Sequence, residues 1–322
     1  QDVDDLKTGS GTAELDNSHI VLVYCMRSYF KNGFVFRGST LTFDQILSHT
    51  SGLHMLYLCS GLPRSGDMTE CCTQLNMTIT CIDTELDEQN HDILDQVIFG
   101  KLLRRIRSHE FDCIVMSPPC STFSVARSNE HFKGPRPLRG ELEPEIYGFA
   151  NLSVEQKKAV QIGTAVALRC DEVSNVALEL NIPHLIETPG LRNGQPSVAK
   201  LPKIIQTRAD PRINRISMVQ CELGARTKKP TELWGLCDLS GLPTSCTHQN
   251  VWWTTPWSGR SYRSPHPQLC GTQWAIPAAD WNKPMIESCE PDGPFISRMS
   301  AQYPFMMNAQ IAVRLGVHAG ML

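Results

Sequence analysis

"DCIVMSPPCSTFS", residues 112–124, runs a short apolar stretch, Cys113 to Met116, straight into two prolines and a cysteine. A four-residue apolar run bounded by turn residues reads as a buried strand. Pro118 and Pro119 stiffen the exit. Cys120 then stands on a loop at the strand's carboxyl end, followed by the hydroxyls of Ser121, Thr122 and Ser124. A structural thiol more commonly sits inside an apolar element. The carboxyl ends of strands are where open α/β sheets build their sites, and a thiolate of lowered pKa there is a strong nucleophile.

Working outward, the same grammar repeats. "LHMLYLCSGLPRSGDM" (53–68) is a buried strand breaking into a Gly/Pro/Ser turn, and "MTITCIDTE" (77–85) is a β-branched run ending in acids. "HDILDQVIFGKLLRRIRSHEFD" (91–112) and "LSVEQKKAVQIGTAVALRCDEVSNVALELN" (152–181) carry helical spacing, and "PHLIETPG" (183–190) is another strand and turn. Strands alternating with helices imply an α/β protein with a mostly parallel sheet covered on both faces.

Residues 1–50 form an N-terminal extension with a strand-like run, "HIVLVYC" (19–25), and a helix, "TFDQILSHT" (42–50). Its polar, acidic start lacks a signal-peptide pattern and reads as a flexible lead-in or a fragment boundary. Residues 51–235 hold the strand–helix alternation. All six tryptophans fall within 48 residues, Trp234 to Trp281, where helical periodicity disappears. Residues 236–295 therefore read as a smaller irregular region, with most of its aromatics filling a small core. Residues 296–322 return to helix.

No run approaches a membrane span. Thirteen cysteines is an odd count in a long chain without a regular frame, which suggests a reducing intracellular compartment rather than a disulfide scaffold. The sequons at Asn76 and Asn151 would then be idle. Net charge is −3, which excludes a uniformly basic nucleic-acid binder. Between Lys200 and Lys229, however, eight cations face two anions. Such a stripe suits either a phosphate backbone or a solvated surface. Cys237, Cys246 and His248 have the spacing C-x8-C-x-H, which is no standard zinc pattern, and a fourth ligand would have to come from Cys221 or Cys270. No metal is assigned on that basis.

Four further positions carry candidate chemistry. Gly61 opens a turn after the first buried strand, where a ligand could approach the backbone or where there is only a loop. Asp83 lies 22 residues on, at the end of the next strand, and suits a ribose; as a helix-terminal acid it would merely favour the dipole. Asp92 reads as a helix cap or as the acceptor of an adenine amino group. Glu187 ends an apolar strand; desolvation would raise its pKa and make it a proton donor, unless it only caps the turn at Pro189 and Gly190.

Taken in order, these motifs resemble the cytosine-C5 DNA methyltransferases. "LCSGLPRSG" looks like their S-adenosylmethionine loop, Asp83 their ribose acid, "HDI" their adenine contact, "SPPCSTFS" their Pro-Cys motif and "IETPG" their Glu-Asn-Val motif. "ELGARTKKPTELWG" occupies the place of their basic strand, and "YPFMMNAQIAVRLG" looks like their closing helix. The resemblance covers roughly residues 53–235 and 297–317, in wording closer to phage-type and retroelement-encoded members. Ser121 stands where Gln is usual, Thr188 where Asn is usual, and Arg226, Lys228 and Lys229 replace a pair of arginines.

The resemblance implies a Rossmann-like domain that binds S-adenosylmethionine, leaving S-adenosylhomocysteine, through Cys59, Ser60, Gly61, Leu62, Asp83, Thr84, Asp92, Ile93, Pro118 and Asn308. It implies Cys120 as nucleophile and Glu187 as acid, assisted by Arg226, Lys228 and Lys229. It implies double-stranded DNA as partner, a flipped cytosine as substrate, and residues 236–295 as the target-recognition region. Ser121, Thr122 and Ser124, with Arg127, Lys133, Arg136 and Arg139 of the following loop, would meet DNA as that loop closes. Transfer-RNA cytosine, or DNA binding without catalysis, are the alternatives. A monomer is expected, in a nucleus if the source is eukaryotic and in cytoplasm if it is a phage or bacterium.

Overall fold

Short apolar runs separated by well-capped helices build the expected sheet. The computed structural model describes residues 26–27, 30–123, 136–254, 261–267, 276–277 and 303–322. The run 19–25, Ser124, Arg127, Lys133, Cys270 and three of the tryptophans lie outside these. After a hairpin, β1 (Phe34–Phe36) and β2 (Ser39–Leu41), helix α1 (Phe43–Thr50) starts at Thr42, whose side chain and that of Gln45 cap each other's backbone. Then come β3 (His54–Leu58), α2 (Met68–Gln74), β4 (Thr78–Ile82), the single turn α3 (Glu88–His91) and α4 (Gln96–Arg107). β5 (Cys113–Met116) leads to the long α5 (Val154–Glu179), which begins at a Ser153–Gln156 capping box. β6 (His184–Pro189), α6 (Pro202–Arg208), β7 (Asn214–Val219), β8 (Pro230–Gly235) and the closing helix α7 (Phe305–Gly320) complete the main unit.

The six-stranded sheet has the order β4-β3-β5-β6-β8-β7. β4, β3, β5 and β6 are parallel neighbours, while β8 runs antiparallel to both β6 and β7. The reversed strand follows from the connection: residues 220–229, which include the 3-10 turn Gln220–Leu223, fold the chain back against β7 without a crossover helix. Sequence reading gives the four parallel strands but not β7, whose apolar residues are interrupted by exposed polar ones.

Side-chain alternation sorts the strands onto two cores. Met55, Tyr57, Cys113, Val115 and Leu185 face α1, α2 and α7. Leu56, Leu58, Ile114, Met116 and Ile186 face α4 and α5. Every residue of α7 from Met307 to His318 is buried, so this helix is sandwiched rather than amphipathic. A three-stranded antiparallel sheet, β10-β9-β11, lies in the irregular region, with β9 Val251–Thr254, β10 Ser261–Ser264 and β11 Ile276–Pro277. Of the described tryptophans, Trp234 is fully buried in the main sheet, Trp253 is partly buried and Trp252 is exposed. A tryptophan-filled small core is therefore not seen among these three. No helix among the described residues is long and apolar enough to cross a membrane.

Candidate functional site

The chain moves from β3 outward to β4, then returns to place β5 on the other side of β3. The carboxyl ends of β3 and β5 thus flank the point where strand order reverses, which is where open α/β sheets form a crevice. Gly61 follows β3 and Cys120 follows β5, so the topology brings the two motifs to one place.

Strand parity builds the polar cluster. Tyr57 in β3, Ser117 just past β5 and Glu187 in β6 share the face covered by α7. Tyr303, two residues before α7, closes over them. Its hydroxyl lies 2.5 Å from Glu187 Oε2 and 2.8 Å from Ser117 Oγ, and Tyr57 Oη is 3.3 Å from the same Ser117 Oγ. Glu187 is buried, and burial raises its pKa against the opposing pull of the Lys229 ammonium and the Tyr303 bond. A carboxyl so placed favours the neutral form, as an acid must.

Cys120 sits within electrostatic range of Glu187 and Lys229. Burial, then the Glu187 charge, push its pKa up to about 11, with Lys229 pulling the other way. The condition for a ready thiolate, a lowered pKa, is therefore not met by the site as it stands. Lys229 is held at φ +33° with its Nζ 5.2 Å from the centre of the Tyr303 ring. Its own pKa is lowered by burial and partly restored by Glu187 and Cys120. Of the three cations expected here, only Lys229 enters the cluster; Arg226 and Lys228 are exposed.

Beside the cluster is a small cleft with Ser60, Gly61, Arg64, Asp67 and Asn308 among its walls. Gly61, at φ +69°, donates its N–H to Asp83 Oδ2 at 2.9 Å, and Glu85 donates to Oδ1 at 2.8 Å. Asp83 does not cap a helix; Asp87 caps α3 instead. Asn308 donates to the Gly66 carbonyl at 2.8 Å, while its buried Oδ1 has no partner among the described residues. Asp95, not Asp92, caps α4; Asp92 closes a turn through Leu94 N–H at 2.9 Å. Leu62 and Thr84 are exposed, Ile93 and Pro118 are buried, and the Cys59 thiol lies against Cys170 of α5. Arg64 and Tyr303 went unassigned in the sequence because each stands in a motif legible for another reason, a turn and a closing helix.

Two expected DNA contacts are corrected. Arg139 is 1% exposed and cannot meet DNA from there. Its guanidinium reaches the carbonyls of Ile146 (2.8 Å) and Val160 (2.6 Å) and the hydroxyls of Thr164 (2.8 Å) and Thr122 (3.0 Å), and stacks 3.7 Å from the Phe123 ring centre. Thr122 is buried as the acceptor in that network, which ties the segment after Cys120 to α5. Gly163 of α5 makes room: an added Cβ would lie 2.9 Å from Thr122 Oγ1. Ser121 and Arg136 are exposed.

Part of the basic stripe is drawn into the fold. Arg208 forms a buried pair with Glu232, Lys200 binds Glu141 at 2.6 Å, and Lys229 belongs to the cluster. These three of the eight cations are engaged within the fold, while Lys203, Arg212, Arg215, Arg226 and Lys228 are exposed. Cys237 is also out of place as a metal ligand: it is buried, its thiol turned to the Asp238 carbonyl. The structure instead gathers Cys221, Cys246, His248 and His266.

The fold and this crevice define an open α/β protein, Rossmann-like, with a mostly parallel sheet and a site at its strand ends. No family profile, curated protein or solved structure matches the chain.

Proposed function

We propose that the chain is a DNA cytosine-C5 methyltransferase acting on double-stranded DNA with S-adenosylmethionine. The observation that carries this reading is that Cys120, partly exposed past the end of β5, stands within electrostatic range of the buried Glu187 and of Lys229, beside the Gly61 cleft at the strand-order reversal. The cleft fits the cofactor chemically. Its glycine turn leaves backbone space, Asp83 accepts the Gly61 N–H beside it, and the buried Asn308 Oδ1 in its wall has no partner among the described residues. When bound, the cofactor supplies an electrophilic methyl group.

Cytosine carbon 5 is a poor nucleophile until the ring is activated. Cys120, as thiolate, adds to carbon 6 while neutral Glu187 gives its proton to ring N3, leaving an enamine that is nucleophilic at carbon 5. Once carbon 5 carries the methyl group, its proton leaves to solvent, the Cys120–carbon 6 bond breaks, and N3 returns its proton to Glu187. Lys229 stabilises negative charge on both groups, and so favours the Cys120 thiolate and the Glu187 carboxylate left after proton transfer. The target base must leave the stack to reach Cys120, at a cost of a few kcal/mol.

The test is covalent trapping. Fluorine at carbon 5 cannot leave as a proton does, so duplex DNA containing 5-fluorocytosine should form a stable adduct with the chain and cofactor. An adduct that persists in Cys120→Ala refutes the mechanism.

A further inference from the structure

We infer that Cys221, Cys246, His248 and His266 form a structural zinc site that fastens the small β9–β11 sheet to the main one. Their ligand atoms all lie within 4.8 Å of one another. Cys246 Sγ is 3.5 Å from His248 Nδ1 and 3.2 Å from His266 Nε2. A tetrahedral Zn²⁺ with ordinary Zn–S and Zn–N bonds sets sulfur and nitrogen ligands about 3.6 Å apart. The two Cys246–histidine distances are close to such an edge, and the remaining ligand atoms lie within 4.8 Å, near enough to close on one ion.

The surrounding contacts prepare the donors. His266 Nδ1 is 3.2 Å from the Arg226 carbonyl, so its proton is directed there and Nε2 presents a lone pair to Cys246. That is the usual arrangement behind a metal-bound histidine. Glu222 Oε1 lies 3.2 Å from His248 Nδ1 and also accepts from Thr247 N–H and hydroxyl, which makes Glu222 the competitor for that nitrogen. Binding the ion would release the protons of the two thiols.

The ligands come from three separated places. Cys221 is in the turn after β7, Cys246 and His248 are in the connection between β8 and β9, and His266 follows β10. Among the described residues, β9 exposes Val251 and Trp252, so this strand has little apolar burial of its own there. A metal cross-link is what small units with thin cores commonly use. It would also brace the segment from Arg226 to Lys229, whose last residue stands beside Cys120.

The experiment uses the full chain, without a polyhistidine tag, purified in reductant and without chelator. Elemental analysis should find about one zinc per chain. Replacing zinc by Co²⁺ should give the visible d–d bands of a tetrahedral ion and a thiolate-to-metal charge-transfer band of two-sulfur strength. Cys246→Ser and His266→Ala should lose the metal, and Glu222→Gln should keep it. Because a variant can lose metal by misfolding, the wild-type Co²⁺ spectrum stands as an independent reading. Substoichiometric metal with no tetrahedral spectrum overturns the inference, as does a Cys221–Cys246 disulfide in peptide maps. Cys120→Ala should retain the metal, so failure here and failure of the methyltransferase reading are separable.

Discussion

Arg139→Met tests the claim that this arginine is an internal tie rather than a DNA contact. The guanidinium has no carboxylate partner among the described residues, and burial pushes its pKa down to about 10. Removing it strands the Ile146 carbonyl and the Thr122 hydroxyl, at roughly 1–3 kcal/mol each for a buried group left without a partner. Part of that is offset because a desolvated charge is removed. The expected net loss is about 2–4 kcal/mol. Spread over 322 residues, at about 2.1 cal/mol/K per residue, this lowers the melting temperature by roughly 3–6 °C. Urea unfolding and calorimetry give the stability. Adding Thr122→Val should recover part of the loss, since one orphaned acceptor disappears, whereas a surface DNA contact would show no such coupling. The reasoning is refuted if Arg139→Met unfolds within about 0.5 kcal/mol of wild type, the range of ordinary surface substitutions, while its affinity for DNA falls.

Two further outcomes follow from the ionisation states. Alkylation of Cys120 should be slow at neutral pH and rise about tenfold per pH unit until the thiol titrates near 11; Lys229→Met should slow it and Glu187→Gln speed it, as mass spectrometry of the Cys120 peptide would show. His184 is buried, its imidazole held by Ser174 and the Ile182 carbonyl, and burial lowers its pKa from 6.5 to about 4. Since the folded value is depressed, the stability it contributes is present above pH 6.5 and fades as pH falls toward 4, by about 1.4 kcal/mol per pH unit. His184→Gln should flatten that slope in denaturation curves taken across the window; an unchanged slope refutes the assignment.

The parallel strands β3 to β6 were legible because each is a short apolar run closed by turn residues, and α5 because helical spacing persists over many turns. β7 was not, because one face of an edge strand is solvated and its pattern is broken. Cys120 and Glu187 were legible for a local reason: a reactive side chain at the end of a buried strand breaks an otherwise apolar pattern. Arg139 was misread because a cation among Gly and Pro residues has the local signature of a surface loop. Only the approach of α5, allowed by Gly163, shows that it is enclosed.

What the sequence determined by itself was the alternation of strands and helices, the turn at Gly61, and the types of side chain that end β3, β4, β5 and β6. Those are local facts, set by periodicity and by residues that break it. Tertiary structure decided which of them meet. Strand order put Gly61 and Cys120 on either side of one crevice, and strand parity turned Tyr57, Ser117 and Glu187 to the same face. The return of α7 laid Tyr303 across them from 116 positions beyond Glu187. The same folding turned Arg208 and Lys229 inward and drew four metal-type ligands from three distant segments. Burial and charge proximity are properties of space, and spacing along the chain does not encode them.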